Sequence, residues 1–362
     1  MIRIPSLDGL RAIAILMVLL SHSGDTPGAP THHFSSFGYF GVRIFFVISG
    51  FLITRLLVME RETTGTVSLK QFYYRRTLRI FPALWFYLFV IAALNARGRI
   101  TLLSHDLLSA LTYTVNYHQA RSWFVGHLWS LSVEEQFYLI WPLIIIALSR
   151  RRAAMTAMTV SAVAPVLRAI LLLQRPDAAI GEWFPTVCDG LAAGCALGLL
   201  PDATLKRFFS PFNTSWFAII PAVAICVNLM QYHSNPRYGI LFASLGQSVM
   251  NCSIALTLGW LITFPESLAG RVLNSPFPVW IGTISYSLYL WQQPFLNRDV
   301  HTWMTSFPLN VAFAFLMAMI SYYFVERPIL RCRNRLAHGR IRATAGTARA
   351  SAAIPDPSHQ TI

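Results

Sequence analysis

An arginine and a histidine lie eleven residues apart in a long apolar stretch near the start of the chain, SLDGLRAIAILMVLLSH. On a helix, eleven residues make close to three turns, so Arg11 and His22 share one face about 16 Å apart. Ionisable side chains are costly inside a membrane and tend to mark functional paths. The stretch therefore indicates a functional site, and the alternative is a structural arginine with a packed histidine.

Further charged side chains fall inside later apolar stretches. If successive membrane spans alternate in direction, several of these charged side chains lie in the outer third of the membrane, at the depth of His22. They are Arg43, Glu134, Glu135, Asp189 and Arg168. A carboxylate beside an imidazole fixes its tautomer and raises its basicity, which suits removal of a proton from a hydroxyl. Adjacent carboxylates lie 100° apart on a helix, so one should face the bundle interior and the other a partner or water.

A basic cluster, FYYRRTLRIFP, precedes the third apolar stretch. Arg75 and Arg79 are four residues apart and Arg76 and Arg79 are three apart, so their guanidinium groups can converge on one helix face. Such clusters most often set topology and anchor lipid headgroups. The alternative is a binding site for a phosphorylated ligand.

The composition excludes an ordinary soluble domain, because the 362 residues are 55% hydrophobic and only 12% charged, with a mean hydropathy of +0.50. We predict an all-α, polytopic membrane bundle of about ten transmembrane helices. The apolar stretches long enough to cross lie near residues 7–23, 38–58, 80–95, 128–148, 153–173, 185–201, 214–231, 239–264, 278–296 and 309–330.

The net charge of +14 could suggest nucleic-acid binding, but the basic residues lie in short loops between apolar stretches. With ten spans and both termini cytoplasmic, 20 of the 29 Lys and Arg residues lie inside, as expected for a multi-pass protein of the cell membrane. An eleventh crossing at 102–118 would put Arg150, Arg151 and Arg152 outside, so we do not predict it.

The sequence predicts one transmembrane domain, residues 1–331, and a basic, disordered cytoplasmic tail, residues 332–362, that can rest on anionic lipid. We predict no metal site, because the spacing of the remaining histidines is irregular and no carboxylate pair supports one. We also expect no nucleic-acid partner, and the sequence does not determine an oligomeric state.

The sequence resembles the acyltransferase-3 family of integral membrane O-acyltransferases. The resemblance rests on a series of ordered motifs between residues 5 and 331: SLDGLR with the following histidine, GVRIFFVISGFLIT, RRTLRIFP, HLWSLSVEEQFYLIWP, ISYSLYLW and VERP. It implies that His22 is the essential base, that Arg11 helps to handle the acyl donor and that Glu134 is a second catalytic or orienting residue. It also implies that the donor is bound by the basic motif, Arg75, Arg76 and, as a further contact, Arg79.

Members of this family transfer acyl groups, typically acetyl from acetyl-CoA, so the resemblance implies acyl-CoA as co-substrate and no bound cofactor. Relatives commonly have aspartate where Arg43 stands and histidine where Gln292 stands. An amide cannot titrate, which strengthens the assignment of His22 as the base. Some relatives append an extracytoplasmic SGNH-type domain, and we expect this chain to be the form without it.

The predicted function is transfer of an acyl group from acyl-CoA to a hydroxyl of a cell-surface or lipid-linked carbohydrate. A diffusible acceptor, such as a macrolide or a lipo-oligosaccharide, is an alternative with the same chemistry. A small-molecule permease is a third reading, in which the buried charges line a conduction route. No inverted repeat or matched pair of Gly/Pro-broken spans supports the permease.

Overall fold

The computed structural model describes residues 5–24, 26–29, 34–175, 180–212, 219–233 and 236–333. Within these ranges all regular secondary structure is helical. The longer helices are α1 (Pro5–Ser23), α2 (Ser35–Thr64), α3 (Leu69–Ala96), α6 (Leu128–Ala147), α7 (Arg150–Gln174), α9 (Asp189–Leu199), α11 (Ile219–His233), α13 (Gln247–Thr263), α15 (Pro276–Phe295) and α16 (Leu309–Ile320). The shorter ones are α4 (Asp106–Leu111), α5 (Trp123–Gly126), α8 (Phe184–Val187), α10 (Asp202–Phe209), α12 (Pro236–Leu241) and α14 (Leu268–Leu273).

Seven of the described helical segments are long and apolar enough to cross a membrane, so the protein is a polytopic membrane bundle: Ser6–Ser23, Ser36–Thr64, Leu69–Ala96, Trp123–Ala147, Arg150–Gln174, Gly239–Thr263 and Leu309–Arg333. The other three predicted spans correspond to α9, α11 and α15. The apolar helices α9 and α11 have 11 and 15 residues, fewer than the 17 or so that a crossing usually needs. The stretch 102–118 contains α4, whose six residues extend only about 9 Å.

Close helix packing at glycines forms the centre of the bundle. The helix α1 packs against α2 and α15, and α2 packs against α9. A Cβ atom at Gly41 would overlap the Ala14 carbonyl of α1, and one at Gly50 would overlap the Leu191 carbonyl of α9. These two glycines therefore allow the helix backbones to approach each other closely. Small residues permit such approach where apolar lipid provides little drive for helix association.

The turn between α2 and α3 reverses the chain within four residues. Gly65 has a φ of 77°, in the left-handed region, and its N–H donates to the Arg61 carbonyl. Ser68 caps α3 by accepting a hydrogen bond from the Gln71 N–H. The end of α2 and the start of α3 therefore lie side by side.

The two ends of the described chain lie at the same end of the bundle. Ser6 donates to Asn274, just before α15, and Arg11 lines the same cavity as Arg75 and Arg333. The last helix continues from α16 through a π-helical turn, Ser321–Glu326, to residue 333. Cys332 and Arg333, which the prediction assigned to the tail, belong to this helix, and the remaining residues of the predicted tail, 334–362, lie outside the described part.

Candidate active site

A cavity of about 740 Å³ lies among α1, α2, α3, α6 and α15 and opens beside the exposed turn between α2 and α3. Apolar side chains of α2 and α3 form much of its wall. Its charged lining comprises five arginines and two glutamates, a formal excess of three positive charges: Arg11, Arg75, Arg76, Arg79, Arg333, Glu60 and Glu134. The described residues contain no group of three His, Cys, Asp or Glu side chains that could hold a metal ion. The excess of positive charge makes the cavity suitable for an anionic ligand.

The three arginines of the basic motif all face this cavity. Arg75 Nη2 lies 2.6 Å from Glu60 Oε2, and its side chain is 39% exposed. Arg79 has no carboxylate at ion-pair distance within the described ranges, and the charges of Arg11 and Arg76 act on it. The cavity wall thus offers an incompletely neutralised cluster of guanidinium groups, the kind of surface that binds phosphate.

Glu134 and Glu135 both reach the same arginine. Arg76 Nε donates to Glu135 Oε1 at 3.2 Å, and Arg76 Nη2 lies 3.5 Å from Glu134 Oε2. Ser49 donates to Glu134 Oε1 at 2.9 Å, and the Arg76 guanidinium lies 3.6 Å from the centre of the Tyr138 ring. Only Glu134 lines the cavity, whereas Glu135 faces Arg76, and the wide guanidinium group reaches both carboxylates.

His22, at the end of α1, takes part in a chain of amide hydrogen bonds. Its Nδ1 lies 2.8 Å from Gln292 Oε1; Gln292 Nε2 donates to Gln293 Oε1 at 3.0 Å, and Gln293 Nε2 donates to the Trp123 carbonyl at 2.8 Å. These bonds orient the Gln292 amide with its oxygen toward the imidazole, which in the neutral ring favours the tautomer with the proton on Nδ1 and the lone pair on Nε2. The His22 ring also makes an edge contact with Trp123, at 5.7 Å between ring centroids.

The structure does not bring Glu134 to His22, contrary to the expectation of a common depth. Trp123, the neighbour of His22, precedes Glu134 by eleven residues, which is about 16 Å along a helix. The described hydrogen bonds of Glu134 go to Ser49 and Tyr138 instead. The sequence-based prediction placed Glu134 too close to the outer side of the membrane. The helical segment begins at Trp123, about one turn before the predicted apolar stretch begins.

Three of the expected site-lining residues form a separate, fully buried cluster. Asp189 Oδ1 lies 3.3 Å from Arg43 Nη1, and Asp189 Oδ2 lies 3.0 Å from Arg168 Nη2, with all three side chains no more than 1% exposed. Gln247 accepts from Arg43 at 2.7 Å, and Ser248 accepts from Arg168 at 2.6 Å. None of the three lines the described cavity, so the cluster joins α2, α7, α9 and α13 rather than the site.

Two charged residues near the site had no role in the sequence prediction. Glu326, in the VERP motif, is 5% exposed, accepts a hydrogen bond from Ser287 of α15 and acts electrostatically on Arg79. Arg333 lines the cavity from the last helix. Glu326 could have been found from the sequence, because it is a lone carboxylate within an apolar stretch. Arg333 gave no such signal, because it lay in the segment predicted to be a disordered tail.

Comparison with known proteins identifies the family. The family model described as an acyltransferase domain, Acyl_transf_3, matches residues 4–326. The peptidoglycan O-acetyltransferase OatA of Listeria monocytogenes is 27% identical over 365 residues, covering 90% of this chain and 56% of OatA. The Bacillus subtilis protein YrhL is 28% identical over 366 residues, covering 90% of this chain and 55% of YrhL.

The chain thus spans a little over half the length of these curated relatives. No solved structure matches it. The family model covers most of the chain and includes the helices that carry the cavity and His22, and the resemblance seen in the ordered motifs is confirmed. The chain therefore belongs to the acyltransferase-3 family of integral membrane proteins.

Proposed function

We propose that the protein transfers an acyl group, acetyl in the simplest case, from acyl-CoA to a hydroxyl of a cell-surface or lipid-linked carbohydrate. One observation carries this proposal: the arginine-lined cavity ends at Tyr289, one helical turn of α15 from Gln292, which holds His22. The three residues from Tyr289 to Gln292 rise about 4.5 Å along the helix axis. A donor bound through its phosphates can therefore extend its thioester toward the imidazole.

The donor phosphates bind Arg75, Arg76 and Arg79, which line the cavity together with Arg11 and Arg333. Arg11 contacts the arm of the donor deeper in the cavity. The separation of about 16 Å along α1 keeps Arg11 away from a carbonyl held at His22, so we assign it to donor binding. Glu134, bonded to Ser49 and near Arg76, positions that arginine, and this role replaces the expected pairing with His22.

The reaction follows from the proton positions on His22. Nε2 takes the proton of the acceptor hydroxyl while the oxygen attacks the thioester carbonyl carbon. The carbon–sulfur bond then breaks, and the imidazolium returns the proton to the leaving thiolate. The products are an ester and CoA thiol, and Gln292 keeps the Nδ1 proton in place throughout.

We also propose ten crossings with both termini in the cytoplasm. The helices α9, α11 and α15 complete the seven longer segments. An even number of crossings agrees with the position of Arg11, on α1, and of Arg333, beyond α16, at the same cavity. That end carries the basic loops, and the positive-inside rule predicts that it faces the cytoplasm. Acyl-CoA then enters from inside, and His22 lies near the outer face.

The acceptor then approaches from the outer side. The Listeria relative is named for peptidoglycan, which makes a cell-wall glycan the first acceptor to test. A diffusible acceptor would use the same donor site and the same base, so only product analysis separates the two.

The test uses the purified protein in lipid nanodiscs with acetyl-CoA and isolated peptidoglycan or lipid-linked glycan. We expect release of free CoA thiol and formation of O-acetyl ester, with both lost in His22→Ala. The matched control is His301→Ala, an exposed histidine of an outer loop, which should leave both products unchanged. Absence of thiol release by the wild-type protein with these acceptors, or full activity of a folded His22→Ala variant, would refute the assignment; a permease would release no thiol.

A further inference from the structure

The mouth of the cavity carries a cation from the last helix of the described chain. Arg333 lines the cavity together with Arg75, and Arg333 Nη1 donates to the Arg75 carbonyl at 3.5 Å. Arg333 lies seven residues beyond the end of the family match. We call Arg75, Arg333 and Glu60 the basic mouth.

The charged residues that line the cavity lie at different distances from its opening. The basic mouth lies beside the exposed α2–α3 turn, and Arg79 is one helical turn of α3, about 6 Å, further in than Arg75. Arg79 is close enough to Arg11 for their charges to interact, and the inner wall is formed by Ser130 and Tyr289. A long ligand therefore meets the basic mouth with one end and the inner wall with the other.

Coenzyme A has a corresponding order of groups. Its thiol is at one end, the diphosphate is in the middle, and the 3′-phosphorylated adenosine is at the other end. When the thioester points toward His22, the diphosphate lies near Arg76 and Arg79 and the 3′-phosphate remains at the basic mouth. A phosphomonoester carries a charge of about −1.5 to −2 at neutral pH.

The basic mouth needs both of its arginines to hold such a charge. Glu60 already pairs with Arg75 at 2.6 Å, so Arg75 alone offers little net charge to a phosphate. Arg333 supplies the second cation, and Glu60 also accepts from the Ser68 N–H at 2.9 Å, which fixes it to the turn. The positive charge at the mouth thus depends on the last helix.

We propose that Arg333, together with Arg75, binds the 3′-phosphate of CoA, so that the site selects CoA over 3′-dephospho-CoA. The proposal rests on the proposed function, since it takes CoA as the donor. It assigns a specificity role to a residue outside the matched family domain.

The experiment measures binding of CoA and of 3′-dephospho-CoA to the full chain in nanodiscs of neutral lipid. In Arg333→Gln we expect about tenfold weaker CoA binding, the loss of one charge-assisted hydrogen bond, with less than a twofold change for 3′-dephospho-CoA. Arg331→Gln is the matched control, because it removes an equal charge from the same helix at an exposed residue that does not line the cavity. Arg333→Lys should retain part of the preference.

An equal loss for both ligands in Arg333→Gln, or no loss for either, would overturn the proposal. The second result is also the one expected if Arg333 held a lipid headgroup. The binding assay separates this proposal from the proposed function: CoA-selective binding without thiol release with any glycan acceptor would refute the function alone. Failure of the wild-type chain to bind either ligand would refute both.

Discussion

Replacing Gln292 by leucine tests whether the amide oxygen sets the proton position on His22. The substitution removes the acceptor that lies 2.8 Å from Nδ1 and keeps a side chain of similar volume at a position that is fully buried. A buried donor left without its acceptor costs about 1–3 kcal/mol. Because that cost falls on the tautomer that acts as the base, the activation barrier rises by a similar amount. Each 1.36 kcal/mol is a factor of ten, so kcat should fall about 5- to 150-fold.

The assay is initial-rate release of CoA thiol across a range of acetyl-CoA concentrations. KM for acetyl-CoA should change less than twofold, because the arginines of the donor site are at the other end of the cavity. Gln119→Leu, at an exposed glutamine, is the matched control and should leave both constants unchanged. A folded Gln292→Leu variant with wild-type kcat, or one whose loss appears only in KM, would refute the reasoning.

Three further outcomes follow from the contacts described. Asp189→Asn leaves two buried arginines without their counter-charge and should reduce the free energy of unfolding by about 3 kcal/mol or more, measured by thermal or denaturant unfolding in detergent; an unchanged unfolding midpoint would contradict this. Gly50→Ala should also destabilise the fold, because the new methyl group overlaps the Leu191 carbonyl, and normal yield and midpoint would argue against the close α2–α9 contact. Glu134→Gln should raise KM for acetyl-CoA more than it lowers kcat, since the carboxylate holds Arg76; a pure kcat effect would return Glu134 to the chemistry at His22.

Helical periodicity predicted the arrangement along α1 because that geometry is local. Both residues lie on the unbroken helix α1: Arg11 lines the cavity, and His22 lies three turns further along. The arginines of the basic motif were predictable for the same reason, since spacings of three and four residues share a face.

Relations between helices were not available from one sequence. The depth of Glu134 depends on where α5 and α6 begin relative to the end of α1, and that is decided by the contact of Trp123 with His22. The amide of Gln292 looked like the loss of a titratable group, but it holds His22 through a chain of bonds between three helices. Likewise, a charge inside an apolar stretch does not reveal whether it faces a cavity or, like Arg43, a buried carboxylate.

The π-helical turn at Ser321–Glu326 determines the direction in which the side chains of residues 327–333 point. A π turn holds one residue more than the α-helical ladder, and each residue of an α-helix rotates the chain by about 100°. Without that additional residue, every side chain beyond Glu326 would rotate by about this angle, and Arg333 would point away from Arg75. The π-helical turn thus rotates residues 327–333 about the helix axis, and an irregularity some ten residues away sets the direction in which Arg333 points.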